Sequence, residues 1–433
     1  MKTMKKRNIR FLATLLALTL CFAFVLSGCA EDTSGGSGSG GSDEKVTLRF
    51  WHIWGGQDAN AAAAKQVVEE FNASHANIKV EVETFENEAY KTMIRTAVSG
   101  DEVADVFSTW GAGFSRPFYD AGKLLKLDDY LKDGTLNKLY GGALSYFLYD
   151  GGTYGMTFGR NVSGFFVNPD VFESAGAKVP ATWVELIDAC AKIQANGSIP
   201  IITSSKERWV MGMLFEGMVT KAVGAETVNK TLNKEAGGSY GDPKFREAID
   251  RLSELISNGY INSDMGAIDR NEARESFKNG EAGLYYMGSW EVSSLEEDGS
   301  TVQGKADWIP FPTIPGGGGK ATDFNGGSID GIVVSANSKY PEQAATFVKY
   351  FCENMERVGD YMPVWNTTEL GANTPAVFNK MIDATKNATD YVIWWDTFLA
   401  GDDVTTYQDA LDNFVNGVIT ADAFVEELKK IQP

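Results

Sequence analysis

The chain has 433 residues, with 39 basic and 58 acidic side chains and a formal net charge of −19. This acidic balance excludes nucleic acid and anionic lipid headgroups as partners, because like charges repel. Two histidines and four cysteines give little material for a Ser-His-Asp triad or a transition-metal site, so neither a metal nor a cofactor is expected.

The first 28 residues have the pattern of an export signal. Basic residues between Lys2 and Arg10 precede an apolar run from Phe11 to Leu26. The run is shorter than the roughly 20 residues of a membrane helix. Its end, Leu26-Ser-Gly-Cys29, resembles the lipobox of bacterial lipoproteins, which implies that Cys29 carries a lipid anchor with palmitate. An ordinary secreted protein cut near the same place is the alternative.

Residues 29–44 are predicted to be a flexible tether, because they are rich in Gly, Ser and acidic residues and lack apolar ones that could form a core. The leader contains five of the basic residues and no acidic one. The mature chain therefore has a net charge of about −24, which favours solubility. Its length is sufficient for two lobes.

Residues 45–158 are expected to form a first α/β lobe. Strands are predicted over 46–54, 78–83 and 103–107, with helices over 61–71 and 90–98. This alternation predicts a parallel sheet with right-handed crossovers. Ligands of such sheets lie beyond the carboxyl ends of the strands, which points to residues 51–56 and 108–113.

Residues 159–325 are expected to form a second α/β lobe. Its predicted strands span 164–168, 199–203 and 282–287, and residues 205–260 are mostly helical. Thr182 and Glu185 form a predicted capping box. Residues 326–362 are predicted to return to the first lobe, with a strand over 330–335 and a helix from Pro341. Residues 363–433 would complete the second lobe as helices.

Cys190 and Cys352 lie on apolar faces of predicted helices. Buried free thiols are expected at both positions. A disulfide between them is the alternative, and it would need Cα atoms within about 7 Å.

Tryptophans stand at predicted element ends, which is the positive signal for ligand binding. Indole faces pack against the C–H faces of sugar rings, while acidic and amide side chains bind the hydroxyls. The alternative is that these tryptophans fill the core, as expected for Trp183 and Trp308. The candidates are Trp51, Trp54, Trp110, Trp209, Trp290, Trp394 and Trp395.

Several motifs in a fixed order resemble one family, the carbohydrate-binding extracellular solute-binding proteins of ABC importers, which include maltose-binding protein. The resemblance covers nearly the whole mature chain and implies two α/β lobes, a hinge of three crossings and a ligand cleft. The motifs are Leu48–Gly56, Ala104–Gly113, Tyr154–Phe158, Gly164–Asp170, Pro180–Leu186, Phe277–Gly283, Gly288–Trp290 and Pro310–Pro312.

The resemblance also implies site residues. Trp110 and Trp290 would be stacking platforms from opposite lobes, and Arg160 and Asn161 would bind hydroxyls at the hinge. The family often has small or amide residues where Arg160 stands, which leaves open an acidic sugar. The remaining candidates extend the cleft or form a later hinge crossing: Trp209, Trp394, Trp395, Asp396, His52, Trp54, Glu86, Asn325 and Gly327.

The function implied is the capture of an oligosaccharide by lobe closure and its delivery to a permease, with transport driven by a separate ATPase. The protein would be a monomer without enzymatic activity, lipid-anchored on the extracellular face of the cell membrane of a single-membrane bacterium. The alternatives are a lipid-anchored glycoside hydrolase, a surface adhesin for wall polysaccharide, and a binding protein for a non-sugar solute.

Overall fold

The computed structural model of the chain describes residues 45–359, 361–369 and 374–431. The predicted leader, the lipidation of Cys29 and the tether lie outside these residues. Within the described ranges, no helix combines the length and apolar character needed to cross a bilayer.

Strands and helices alternate along the described chain. The strands are β1 Val46–His52, β2 Ile78–Thr84, β3 Val106–Trp110, β4 Leu148–Tyr149, β5 Gly152–Thr153, β6 Met156–Thr157, β7 Asn161–Val167, β8 Ile199–Ile202, β9 Ala282–Gly288, β10 Asp307–Ile309, β11 Asp323–Gly327, β12 Asp330–Val334 and β13 Asp390–Val392. The helices are α1 Ala61–Ser74, α2 Asn87–Ser99, α3 Ala112–Asp120, α4 Pro169–Ser174, α5 Trp183–Ala195, α6 Arg208–Val223, α7 Ala225–Leu232, α8 Pro243–Ser257, α9 Arg270–Lys278, α10 Val292–Leu295, α11 Pro341–Val358, α12 Ala376–Thr385, α13 Trp395–Phe398, α14 Asp402–Val415 and α15 Ala421–Lys429.

The first lobe is built on a sheet with the strand order β2-β1-β3-β12-β6. The predicted parallel pairing of β1 with β2 and β3 is confirmed, and β12 adds to β3 in the antiparallel sense. The third strand begins three residues later than predicted. The Asp105 carboxylate accepts hydrogen bonds from the Arg49 backbone and the Ser338 hydroxyl, and the ladder with β1 starts at Val106. Trp110 is therefore the last residue of β3.

The second lobe is built on a sheet with the strand order β13-β11-β7-β9-β8, and β10 pairs with β7. The central strand, β7, is antiparallel to β9 and β11, and all seven of its residues are buried. The predicted capping box at the start of α5 is confirmed, because Thr182 and Glu185 bond each other's backbone N–H groups. Helix α6 is buried on every side and forms the centre of this lobe.

The chain crosses between the two sheets after β6, after β11 and after α11. The first and third crossings pair, since Arg160 and Met362 exchange backbone hydrogen bonds of 3.0 and 2.8 Å. The second sheet keeps β11 as far as Gly327, two residues beyond the expected boundary. Trp365 is still buried in the first-lobe core, beyond the expected end of the return at residue 362.

The buried residues form two clusters. One lies in the first lobe, and the other joins the second lobe to first-lobe residues such as Tyr90 and Phe107. In the first lobe, Phe50 packs edge-on against Phe347 and Phe351 of α11. Cys352 is buried in this core, while Cys190 lies on the buried face of α5 in the second lobe. Both are free thiols, which confirms the prediction for these two residues.

Candidate ligand-binding cleft

A cavity of about 80 Å³ lies between the lobes. The first lobe contributes the carboxyl ends of β1 and β3 and part of α2, and the other side comes from the second lobe and the hinge. The position agrees with the rule for open α/β sheets. The lining residues are Ile53, Trp54, Asp58, Asn60, Asn87, Lys91, Trp110, Asn161, Trp209, Met213, Arg270, Trp290, Asp330, Tyr361, Trp394, Asp396 and Thr397.

Indole rings from both lobes face this cavity. Trp54 and Trp110 come from the first lobe, and Trp209, Trp290 and Trp394 come from the second. The ring centroids of Trp209 and Trp290 are 6.2 Å apart, and those of Trp290 and Trp394 are 5.4 Å apart. Trp110 and Trp209 each expose 9% of their surface, whereas Trp290 is half-buried. The lobes are therefore closed over the cavity.

One cation lies between the indoles of the two lobes. Lys91 Nζ is 5.3 Å from the ring centroid of Trp110 and 5.7 Å from that of Trp209, within cation–π range. It pairs with Asp396 across the lobes at 3.3 Å and with Glu88 on its own helix at 3.1 Å. Burial lowers the pKa of Lys91, but Asp396 and Glu88 outweigh this effect and leave its pKa above the ordinary value. Lys91 thus remains charged.

A hydrogen-bonded chain presents a carboxyl group to the cavity at the hinge. Asn161 Nδ2 donates to Asp330 Oδ2 at 2.9 Å, and Ser289 Oγ donates to Asn161 Oδ1 at 2.8 Å. Burial raises the pKa of Asp330 to about 6, although hydrogen bonds from Asn161 and Trp110 act in the opposite direction. This series of hydrogen bonds links the start of β12 in the first sheet to β7 in the second.

A second ion pair joins the lobes at the edge of the cavity. Arg270, at the start of α9, lies 3.2 Å from Asp58 of the first lobe and 3.4 Å from the fully buried Glu291. One turn along α9, Arg274 donates to the backbone carbonyl of Gln57 at 3.3 Å. Burial lowers the pKa of Arg270, but the surrounding carboxylates outweigh this effect and leave its pKa above the ordinary value. The first lobe is thus held to α9 by two arginines.

Seven predicted site residues meet in the cavity, whereas two others lie in the core. Trp395 is fully buried and its ring packs against Phe215, Tyr240 and Tyr407. Trp394, immediately before α13, faces the cavity, and the side chain of the next residue, Trp395, therefore points into the core of the lobe. Asn325 is buried in β11, where it pairs with β7. Neither Trp395 nor Asn325 lines the cavity between the lobes. The residues brought together are Trp54, Trp110, Asn161, Trp209, Trp290, Trp394 and Asp396.

Arg160 and Gly327 line a different cavity, of about 550 Å³, formed by the hinge crossings and both lobes. Successive residues of an extended chain point to opposite faces, so Arg160 points away from the cavity that Asn161 lines. Its guanidinium lies 5.0 Å from the ring centroid of Tyr391. Arg160 and Gly327 thus do not line the cavity between the lobes, and their contact with a sugar stays a prediction.

Glu86 and His52 lie beside the cavity rather than in it. Glu86 lines an adjoining groove of about 600 Å³, and its carboxylate caps α2 by accepting the N–H groups of Glu88 and Ala89 at 3.1 and 2.9 Å. His52 is buried in β1, and burial lowers its pKa to about 3. Its Nδ1 accepts the backbone N–H of Trp54 at 3.1 Å.

Several lining residues were missed from the sequence. Asp58 follows the glycine pair after β1, so the rule that sites lie at strand ends could have found it. Asp330 begins the strand that returns to the first sheet, where a site residue was also to be expected. Lys91 and Arg270 gave no such signal, because charged residues on amphipathic helices are usually solvated.

The pattern G-x-S-x-G occurs once, at Gly237–Gly241. In a hydrolase this pattern forms a turn from a strand to a helix. Here it connects α7 to α8, and Ser239 Oγ accepts the backbone N–H of Gly241 at 3.0 Å. The segment therefore lacks the geometry of a nucleophile elbow.

Comparisons with known proteins agree with this architecture. A family model for bacterial extracellular solute-binding proteins matches residues 55–355. An ABC transporter extracellular-binding protein of Pyrococcus horikoshii is 25% identical over 355 residues, which cover 80% of this chain and 79% of that protein. The multiple sugar-binding protein of Streptococcus mutans is 23% identical over 339 residues, covering 78% and 77%.

A solved structure from work on xylan utilization by Caldanaerobius polysaccharolyticus superposes with a TM-score of 0.85 and 30% sequence identity. The match covers 89% of this chain and 99% of that one. The predicted α/β fold with two lobes is thereby confirmed. Since the family model spans more than half of the sequence, this chain belongs to the bacterial extracellular solute-binding proteins.

Proposed function

We propose that this chain is the substrate-binding subunit of an ABC sugar importer, and that it captures an oligosaccharide between its lobes. One observation carries the proposal: indoles from opposite lobes face one cavity that also presents Asn161, Asp330 and Asp396. Indole faces suit the C–H faces of sugar rings, and the polar groups suit their hydroxyls. The multiple sugar-binding protein of Streptococcus mutans and the similar structure from work on xylan utilization support this ligand class.

The remaining parts of the proposal concern delivery. The closed form docks on a permease, the protein acts as a monomer, and Cys29 anchors it by a lipid to the extracellular face of the membrane. The first lobe comprises residues 45–158 and 326–362, and the second comprises residues 159–325 and 363–433. The pairing of Gly327 with the second sheet and the burial of Trp365 in the first lobe support moving two of these boundaries, to follow Gly327 and Trp365. The family membership supports an extracellular location.

A panel of neutral trisaccharides tests the proposal. Isothermal titration calorimetry and intrinsic tryptophan fluorescence are measured with xylotriose, cellotriose, maltotriose, raffinose and tri-N-acetylchitotriose. We expect saturable binding of at least one, with a change in fluorescence because five indoles line the cavity. The proposal would be contradicted if no saccharide of a broad array bound and if an amino acid or peptide bound saturably instead.

The same samples test for catalysis. We propose that the protein hydrolyses nothing, so overnight incubation with the bound trisaccharide should release no new reducing ends. A carboxylate pair in a glycosidase must flank the scissile bond. Here each cavity carboxylate is already engaged, Asp58 with Arg270, Asp330 with Asn161 and Asp396 with Lys91.

A further inference from the structure

The cavity between the lobes opens into the wider groove that Glu86 lines, and this groove has an acidic surface. We propose that the ligand is held by one end, with its terminal unit in the cavity and the following units in the groove, and that the groove selects against uronic acids. This inference rests on the proposed function and adds the substrate class.

The volumes of the cavity and of the groove indicate where an extended ligand would lie. The cavity of about 80 Å³ has room for roughly five to eight water molecules, fewer than the about twelve non-hydrogen atoms of one hexose. The lobes must therefore part slightly to admit one sugar unit, and further units lie outside the cavity. The groove of about 600 Å³ shares Ile53, Asp58, Asn87 and Arg270 with the cavity. A longer ligand therefore leaves the cavity past these four residues.

Carboxylates dominate the lining of the groove. Of the two cations there, Lys206 is exposed, and Arg270 is already paired with Asp58 at 3.2 Å and Glu207 at 3.6 Å. A uronate entering the groove would meet like charges, with its preferred partner Arg270 engaged. The five acidic residues are Asp58, Glu86, Glu88, Glu207 and Asp269.

Unpartnered atoms in the groove also favour hydroxyl donors. Asn87 Oδ1 and Asn271 Oδ1 are buried oxygens without a hydrogen-bond partner among the described residues. Buried polar atoms normally have partners, so these two acceptors are suited to a ligand donor. Sugar hydroxyls can donate to them, whereas ionised carboxylates only accept. Both the amide oxygens and the carboxylates of the groove therefore favour a neutral ligand group that donates hydrogen bonds.

The cavity itself offers the complementary group. Trp209 is nine-tenths buried, and its Nε1 has no partner among the described residues. This N–H can donate to a hydroxyl or ring oxygen of the terminal unit. A neutral sugar, whose hydroxyls both donate and accept, can satisfy the cavity and the groove together.

The experiment compares the tightest-binding neutral trisaccharide with the same trisaccharide carrying one uronic acid unit. Affinities are measured by calorimetry at pH 7.5, at about 10 mM and about 300 mM salt. We expect the uronic form to bind at least about tenfold more weakly at low salt, with a smaller difference at high salt because screening weakens the repulsion. Equal or tighter binding of the uronic form would overturn the charge selection alone. Binding of no saccharide would overturn the proposed function as well.

A double variant removes two groove charges while keeping the local structure. In Asp269→Asn/Glu86→Gln, the amide oxygens can still cap α9 and α2, where the two carboxylates accept backbone N–H groups. The matched control, Asp242→Asn/Glu247→Gln, makes the same changes at the cap and on the surface of α8, away from the groove. At low salt, the groove variant should gain about fivefold or more in affinity for the uronic form, and the control should gain none. Equal gains would show a net-charge effect and overturn the inference.

Discussion

Trp290 is the partly exposed indole of the cavity, and its ring lies beside those of Trp209 and Trp394. Replacing it with alanine should weaken oligosaccharide binding at least tenfold, because stacking and interface aromatics contribute about 1–3 kcal/mol. Calorimetry checks the affinity and thermal unfolding checks the fold, with Trp290→Phe as the control that keeps a ring. Unchanged affinity of Trp290→Ala would remove this residue from the site. Trp110 is a poorer choice for truncation, because it also packs edge-on against Phe114.

Asp330 predicts how binding depends on pH. Burial raises its pKa to about 6, above the ordinary 3.8, so the unliganded protein protonates this group as the pH falls through 6. Hydroxyls that donate to the carboxylate favour its ionised form. Affinity should therefore decrease from pH 7.5 to pH 5, by at most about tenfold per pH unit below the pKa. Asp330→Asn should flatten the profile, and an unchanged profile in that variant would contradict this assignment.

The sign for stability is the reverse. Because the folded protein holds the Asp330 proton more tightly than the unfolded chain, the free energy of unfolding contributed by this group is greatest below about pH 4 and falls as the pH rises through 6. Urea unfolding of the wild type and Asp330→Asn at pH 4.5 and pH 7.5 measures this difference. A stability gain from Asp330→Asn confined to pH 4.5 would be inconsistent with it.

At the level of elements, the start of β7 separates two neighbouring side chains. Asn161 lines the cleft, whereas Arg160 lines the cavity beside the other face of the hinge. Asn161→Ala should lower affinity about tenfold, because it removes one ligand contact together with the hydrogen bonds that join Asn161 to Asp330 and Ser289. Arg160→Gln should change affinity less than about threefold. Equal losses, measured by calorimetry on both variants, would contradict this division.

The sequence predicted the elements well but placed some side chains on the wrong face. Periodicity identified α1, α5 and the parallel strands, because one buried face imposes a fixed spacing. Periodicity could not show which residue of the pairs Arg160–Asn161 and Trp394–Trp395 faces the cavity, since the direction of a side chain at an element end depends on tertiary packing. Lys91 and Arg270 were missed for a related reason. Their role exists only when the second lobe faces the first.

On the scale of the whole molecule, closure depends on a close approach at Gly113. A Cβ atom there would come within 2.1 Å of the backbone oxygen of Phe398 in the opposite lobe. Gly113→Val should prevent full closure, so saturating ligand should no longer compact the protein in small-angle X-ray scattering. The matched control is Gly141→Val, since no atom lies within 4 Å of a Cβ at that position. Ligand-induced compaction in Gly113→Val equal to that of the wild type would exclude this contact.

The placement of the two thiols allows the lobes to be followed separately. Cys352 is buried in the first lobe and Cys190 in the second, and burial raises the pKa of both thiols, that of Cys190 to about 12. Neither sulfur can react with an alkylating reagent until the surrounding helices part. Alkylation rates resolved by peptide mass spectrometry would therefore report how often each half of the protein loosens by itself. No label needs to be engineered for that purpose.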